Sequence, residues 1–116
     1  MSYKIRTATV DDANAFSSLL ELLGYPSDPS TLETRISNIL INPDARLLVA
    51  VSESTGNVLG LLSLHFIPQL GLGGDVARIG FFVVDETCHR SGVGKFLESE
   101  AERLSRERGC DRMVSG

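Results

Sequence analysis

Hydrophobic and polar residues follow two different spacings along this chain of 116 residues. Alternation with a period of two indicates a strand at residues 3–8, and two nearly continuous apolar runs indicate strands that are covered on both faces. Apolar residues three and four positions apart indicate three helices. The predicted strands after the first span residues 46–52, 58–66, 77–84 and 112–114. The predicted order of elements is therefore β-α-α-β-β-β-α-β.

Capping and turn residues place the ends of the three predicted helices. Thr9 and Asp12 have the spacing of a capping box before the first helix, and Gly24 follows its last turn. Pro29 opens the second helix, and the third spans residues 92–108. The apolar stripes predicted to be buried are Ala13, Phe16, Leu20 and Leu23 in the first helix, Leu32, Ile36, Ile39 and Leu40 in the second, and Val93, Phe96, Leu97, Ala101 and Leu104 in the third.

Composition and charge narrow the class of protein. The length suits one small domain, and 42% hydrophobic residues suffice for a core. The net charge of −4 argues against a general nucleic-acid or anionic-membrane binder. No apolar run approaches the roughly 20 residues of a membrane-spanning helix. With no signal-peptide pattern, no metal-binding His/Cys cluster and only Cys88 and Cys110 as thiols, a cytoplasmic protein with free cysteines is expected.

The most specific chemical signal is a strand, a glycine turn and a helix at residues 79–108. Gly92 and Gly94 open the helix, where main-chain N–H groups point outward at the positive end of the helix dipole. His89, Arg90 and Lys95 flank those N–H groups, so the segment predicts a site for a phosphate-bearing ligand. The P-loop spacing fails because its first glycine is absent, and the Rossmann spacing fails because its third small position holds a leucine.

The same segment resembles the cofactor-binding motif of the GNAT N-acetyltransferases, which is Arg/Gln-x-x-Gly-x-Gly/Ala directly after a strand. Gly92 and Gly94 fill the two small positions, and His89 stands where the family usually has Arg or Gln. The order of elements is also the family's order, so the resemblance covers the whole chain. It implies an α/β fold with a GNAT-like mixed central sheet, helices on both faces and truncated C-terminal strands.

The resemblance implies acetyl-CoA as the cofactor and direct transfer of its acetyl group to an amine of a small molecule or peptide. The pyrophosphate would lie on the N–H groups of the glycine turn, and the pantetheine arm would pair with the end of the fourth strand. A main-chain N–H of Phe82 or Val83 would then stabilise the oxyanion. The residues implied in cofactor binding are Phe82, Val83, Val84, His89, Arg90, Ser91, Gly92, Val93, Gly94 and Lys95.

No catalytic side chain follows from the resemblance. Where the family often has a glutamate base on the fourth strand, this chain has Ile79-Gly80-Phe81, and the segment with the family's tyrosine acid is absent from the sequence. His65 could be a base, although a strand-end histidine is the simpler interpretation. Asp75 and Arg78 could meet a substrate, but a surface role is simpler for each. Cys88 lacks an informatively spaced His/Asp partner other than its neighbour, which argues against a nucleophile.

Two other interpretations stay open, namely a non-catalytic acyl-CoA-binding protein and a dimerising fragment. Family members usually continue with a helix and two further strands, so the single domain at residues 1–116 is expected to be incomplete at its C-terminus. An incomplete edge beside the fourth strand would expose main-chain donors and favour a homodimer. The identity of the acceptor amine is not predicted.

Overall fold

Five β-strands form one sheet in which strands that follow one another in sequence are also neighbours in space. The computed structural model describes residues 2–89 and 91–115. Its strands are β1 (Tyr3–Thr7), β2 (Ala45–Ser52), β3 (Val58–Ile67), β4 (Val76–Val84) and β5 (Arg112–Ser115), and its helices are α1 (Ala13–Leu22), α2 (Pro29–Leu40) and α3 (Val93–Arg108). The predicted element order and the mixed α/β fold are confirmed. None of the described helices combines the length and apolarity needed to span a membrane.

The two halves of β4 differ in their neighbours. β1 to β4 pair antiparallel in succession, whereas β5 returns through α3 and lies parallel to β4. This parallel pairing runs from Val76 opposite Arg112 to Ile79 opposite Ser115. Among the described residues, no strand accompanies β4 beyond Ile79 on that side. On that side, residues 80–84 of β4 have no described strand beside them, and we refer to this edge as the open edge of β4.

A β-bulge interrupts the pairing of β3 with β4 at the point where this edge opens. Gly80 and Phe81 of β4 together lie opposite Ser63 of β3. The Phe81 N–H donates a hydrogen bond of 2.8 Å to the Ser63 hydroxyl, which fixes the bulge. A bulge changes the direction of the side chains around it, and here Phe81 faces the helices α1 and α2.

The sheet separates two hydrophobic clusters, one under α1 and α2 and the other under α3. Alternate residues of β2 and β3 point to opposite faces and enter both clusters, which explains their nearly all-apolar sequences. The cluster under α1 and α2 includes Phe16, Leu19, Leu20, Leu32, Ile36, Leu47, Val49, Leu61 and Val83. The cluster under α3 includes Leu48, Leu62, Leu64, Phe66, Ile79, Val93, Leu97 and Ala101.

Three residues of the predicted buried stripes lie at the surface instead. Leu23 is 42% exposed because α1 ends one residue before it. Leu40 is 38% exposed at the last position of α2. Phe96 is 43% exposed at the edge of the α3 stripe, where its ring contacts the ring of Tyr3 with 5.3 Å between centroids. Helical periodicity found the buried face in each case but not its limits.

The start of α1 is anchored by Asp12, as the capping-box spacing predicts. Its carboxylate accepts a hydrogen bond of 2.8 Å from the Thr9 N–H and two, of 2.8 and 2.9 Å, from the Arg6 guanidinium. Burial of the carboxyl group favours its neutral form, but the hydrogen bonds from Arg6 and Thr9 outweigh burial and lower the pKa of Asp12. The contact between Arg6 and Asp12 therefore connects β1 to the start of α1, beside the cluster under α1 and α2.

Candidate functional site

The turn between β4 and α3 is ordered by two side chains that bond to the main chain. Asp85 follows β4, and its Oδ1 accepts hydrogen bonds from the N–H and the hydroxyl of Thr87 at 2.9 and 2.7 Å. These bonds lower the pKa of Asp85. Further along, the carbonyl of buried Cys88 accepts bonds from the hydroxyl and N–H of Ser91 at 2.7 and 3.1 Å. These bonds fix the main chain at Thr87 and at Ser91, directly before Gly92.

Gly92 is required at this turn for its conformation and for its small size. Its φ of +87° lies in the left-handed region that side chains disfavour. A Cβ at this position would lie 3.2 Å from the Tyr3 hydroxyl oxygen. That hydroxyl in turn donates to the Ser91 carbonyl at 3.1 Å. The first strand thus holds the glycine turn from one side, and α3 begins at Val93 on the other.

The first turn of α3 presents main-chain donors beside the end of β4. The N–H groups of Val93, Gly94 and Lys95 belong to the first turn, where an α-helix offers no intrahelical acceptor. A Cβ on Gly94 would lie 3.4 Å from the Val84 side chain and 3.6 Å from the Phe82 ring, so glycine allows the helix start to approach the strand closely. Donors at the positive end of a helix dipole form an anion-binding site.

The open edge of β4 continues directly from this glycine turn. The Asp85 N–H donates to the Leu59 carbonyl of β3 at 2.7 Å. Since main-chain groups alternate in direction along an antiparallel strand, those of Val83 point toward β3, and those of Phe82 and Val84 point toward the open edge. The edge therefore offers hydrogen-bonding groups from every second residue.

His89 lies against the Val84 end of that edge. Its Nε2 is 3.1 Å from the Val84 carbonyl oxygen and donates the hydrogen bond, because a carbonyl can only accept. The sequence predicts that His89 contacts a phosphate. In the structure, its ring lies between the end of β4 and the glycine turn. Lys95 is exposed on the first turn of α3, while Arg90 lies outside the described residues.

Two cavities adjoin the bulge of β4. One, of about 350 Å³, lies in the opening between β4 and β5 and is lined by residues that include Gly80, Phe82 and Ser115. The other, of about 420 Å³, lies between the α1–α2 layer and the sheet. Tyr25 and Phe81 line both cavities, and their rings meet edge to face with 5.4 Å between centroids. This aromatic pair forms the boundary between the two spaces.

The cavity under α1 and α2 contains polar groups that the sequence analysis did not place together. Ser63 and His65 of β3 and Arg35 of α2 line it, among mostly apolar side chains. The His65 ring adjoins Gly80, since a Cβ built there would be 3.4 Å from His65 Nε2. Burial, followed by the positive charge of Arg78 opposite it in register, lowers the pKa of His65. The imidazole is therefore neutral at physiological pH.

The other polar residues singled out from the sequence take structural positions. Asp75 accepts a hydrogen bond of 3.3 Å from Arg108 of α3, which also bonds to Asp44. Cys88 is 2% exposed, and its thiol packs in the cluster under α3. These contacts agree with the structural interpretation of Asp75 and Cys88.

Comparisons with known proteins agree with the geometry. The sequence model of the family described as "Acetyltransferase (GNAT) family" matches residues 12–115. A glucosamine 6-phosphate N-acetyltransferase from Trypanosoma brucei brucei is 32% identical over 103 residues, which cover 84% of this chain and 70% of that protein. The structure of a GNAT family acetyltransferase from Staphylococcus aureus matches with a TM-score of 0.89 and 25% identity, over 100% of this chain and 87% of that one.

A structural likeness to a plant enzyme extends the comparison of the fold. The glucosamine-6-phosphate N-acetyltransferase from Arabidopsis thaliana matches with a TM-score of 0.88 over 100% of this chain and 82% of that one. Its sequence identity of 20% makes this a likeness of fold alone.

Proposed function

Because this chain belongs to the GNAT acetyltransferase family, we propose that it transfers an acetyl group from acetyl-CoA directly to the amine of a small molecule or peptide. Membership of the family and the relation to an N-acetyltransferase make it an acyltransferase. The single observation that carries the proposal is the glycine turn after β4, where Gly92 has a φ of +87° and the first N–H groups of α3 are presented beside the strand end.

The glycine turn fits the pyrophosphate of acetyl-CoA. Gly92 and Gly94 leave free the space that a Cβ would occupy near Tyr3, Phe82 and Val84. The N–H groups of residues 92–95 then approach phosphate oxygens without obstruction, and the helix dipole contributes about half a positive charge there. Ser91 and Val93 supply main chain to this turn, and Lys95 and Arg90 supply positive charge.

The open half of β4 fits the amide-rich pantetheine arm. In this proposal the outward carbonyl of Phe82 and the outward N–H of Val84 hydrogen-bond to the arm as they would to a further strand. Val83 supports the same strand by packing its side chain in the cluster under α1 and α2. His89 already bonds to the Val84 carbonyl, so it fixes the end of the edge and sets where the arm begins.

Direct transfer requires no covalent bond between the protein and the acetyl group. Acetyl-CoA supplies an acetyl group that is activated as a thioester. The outward N–H of Phe82 is the donor best placed to stabilise negative charge on the acetyl oxygen, whereas the N–H of Val83 points toward β3. Holding donor and amine together contributes further, because fixed orientation alone lowers a barrier by several kcal/mol. The buried position of Cys88 agrees with direct transfer rather than an acyl-enzyme.

Several finer expectations stay predictions. The single incomplete domain, the homodimer, the cytoplasmic location and the lack of nucleic-acid or membrane partners each require their own measurement. Size measurement in solution would test the homodimer. The acceptor of the trypanosomal relative is named as glucosamine 6-phosphate, and this amine belongs in any panel of candidate acceptors for the present chain.

Calorimetric titration with acetyl-CoA tests the cofactor site. We expect the unmodified protein to bind with a Kd of about 1–50 µM. Gly92→Ala should weaken binding by about tenfold or more, since the new methyl group disturbs the turn that presents the N–H groups. The matched control is Gly56→Ala, because Gly56 also has a positive φ, of +77°, but no atom lies within 4 Å of a Cβ built there.

The outcomes separate the alternatives. Equal acetyl-CoA affinity in the unmodified protein and in folded Gly92→Ala would contradict the assigned phosphate site. A turnover assay that follows the release of the CoA thiol over an amine panel completes the test. Binding without transfer to any amine would favour the non-catalytic acyl-CoA-binding protein, and no binding would leave the dimerising fragment.

A further inference from the structure

The cavity under α1 and α2 has the shape of a small-molecule site. Its volume of about 420 Å³ lies within the range of ligand pockets. Leu32 and Ile36 of α2 and Leu61 of β3 line it, and the polar residues Ser63 and His65 line the end that contacts Gly80 and Phe81. That end adjoins the bulge of β4, so a molecule in this cavity would reach the open edge past Phe81. Under the proposed function, the cavity therefore adjoins the edge along which the thioester would bind.

Arginine and histidine side chains account for the positive charge at this cavity. Arg35 of α2 lines it, and Arg78 of β4 lies opposite His65 in register. Ala45 of β2, on the other side of His65, carries no charge. None of the described lining residues is a carboxylate, so the cavity offers no anionic partner to an ammonium group. An amine bound here is therefore favoured in its neutral form, which is the nucleophilic form.

His65 is the one histidine in this cavity, and it lies at the reacting end. Its ring adjoins Gly80 of the bulge, where a Cβ would lie 3.4 Å from His65 Nε2. Tyr25 and Arg35 are the other titratable residues that line the cavity. Imidazole is the side chain most often used to take a proton near neutral pH. Its place between the cavity and the open edge matches the path of an incoming amine.

The geometry points to His65 as the proton acceptor for the amine, and to the cavity under α1 and α2 as a site for a primary amine with an apolar body. This inference rests on the proposed acetyl transfer and adds the substrate class and the base. It also separates this chain from its glucosamine 6-phosphate relative, because a sugar phosphate would leave most of its hydroxyl groups without partners among these apolar side chains.

The ammonium form of the substrate gives one proton to the neutral His65 imidazole. The amine lone pair then forms the C–N bond to the acetyl carbon, and the C–S bond breaks with its electron pair on sulfur. A second proton passes from the nitrogen to that sulfur, which yields the amide and the CoA thiol. His65 returns its proton to solvent.

The first experiment compares acceptors, using 2-phenylethylamine, glucosamine 6-phosphate and spermidine with the unmodified protein. We expect kcat/KM for 2-phenylethylamine to exceed the values for the other two by at least about tenfold. Burial of its apolar ring in this cavity is favourable, whereas burial of the polar or charged groups of the other two amines is costly. A preference for glucosamine 6-phosphate or spermidine would overturn the substrate class while leaving acetyl transfer intact.

The second experiment uses His65→Asn. We expect kcat with 2-phenylethylamine to fall by about a hundredfold, while acetyl-CoA affinity and the melting temperature stay close to those of the unmodified protein. The unmodified protein should lose kcat/KM as pH falls below the ordinary pKa of histidine, and the variant should lack this limb. His89→Asn is the reciprocal control, which should weaken acetyl-CoA binding and keep the limb.

A fluorinated acceptor separates a base from a merely structural residue. β,β-Difluoro-2-phenylethylamine has nearly the same shape, but its fluorines make the amine neutral at a lower pH. The penalty for His65→Asn should shrink to about threefold with this acceptor, because the lost base is no longer needed. An equal penalty for both amines, an unchanged kcat in the variant, or no transfer to any amine despite acetyl-CoA binding would each overturn the inference.

Discussion

The two halves of the candidate site are built in different ways. The glycine turn and the open edge of β4 consist mainly of main-chain groups from residues 82–95, held in place by local contacts such as that of Asp85 with Thr87. The cavity under α1 and α2 consists of side chains from α1, α2, β3 and β4 that only the folded chain brings together. Main-chain groups suit a cofactor that is the same across a family, whereas side chains can change with the acceptor.

The bulge at Gly80 joins the two halves, so a substitution there tests whether they work as one site. A Cβ at this position would lie 2.9 Å from the Ser63 hydroxyl oxygen and 3.4 Å from His65 Nε2. Gly80→Ala should therefore lower kcat by about a hundredfold by shifting the reacting groups. Acetyl-CoA affinity, measured by calorimetry, should change by less than about threefold, because the new methyl group contacts Ser63 and His65 and not the glycine turn or the outward main-chain groups of Phe82 and Val84.

The control for Gly80→Ala is Gly71→Ala, since no atom lies within 4 Å of a Cβ built at Gly71. Both variants should be checked for the native circular dichroism spectrum before kinetics. A folded Gly80→Ala protein with unchanged kcat would separate the cavity from the cofactor edge and remove His65 from the reaction.

A smaller effect is expected from the contact that anchors the helices over the cavity. Asp12→Ala removes the hydrogen bonds to Thr9 and Arg6 and should lower the free energy of unfolding by about 1–2 kcal/mol at pH 7. Because the folded-state pKa of Asp12 is lowered, the wild-type advantage is fully present above the unfolded-state value of about 4 and is lost as pH falls through the folded-state value. Urea titrations at several pH values measure this difference.

Asp11→Ala is the matched control for that variant, because Asp11 is an exposed carboxylate in the same turn. It should change the free energy of unfolding by less than about 0.5 kcal/mol. If the two variants were equally stable at pH 7, the carboxylate of Asp12 would not anchor α1, and the cavity walls would depend on packing alone.

The sequence predicted the two halves of the site unequally, for a physical reason. Gly92 and Gly94 lie within one short segment where spacing alone specifies a strand, a turn and a helix start. The order of elements followed from periodicity in the same way. His65 and Arg35, by contrast, come from separate elements, and no local pattern brings them together. The available signal was that Ser63 and His65 interrupt an apolar strand at alternate positions, which indicates a polar region on one face.

Two further details required the tertiary structure. Asp12 was recognised as a cap, but its bond to Arg6 spans β1 and the turn and has no sequence signature. Phe96 fits the helical stripe of α3, yet it lies at the stripe's edge against Tyr3. Periodicity defines the direction of a buried face, while the neighbouring strand decides how far that face extends.

In the proposed function, acetyl-CoA binds through main-chain groups of the glycine turn and the open edge of β4. Amide NMR spectra of the labelled protein, recorded with and without acetyl-CoA, report on each of these groups separately. We expect the N–H signals of Gly92, Val93, Gly94 and Lys95 to shift most, together with those of Phe82 and Val84. Shifts confined to the cavity under α1 and α2, with the glycine-turn signals unchanged, would contradict it.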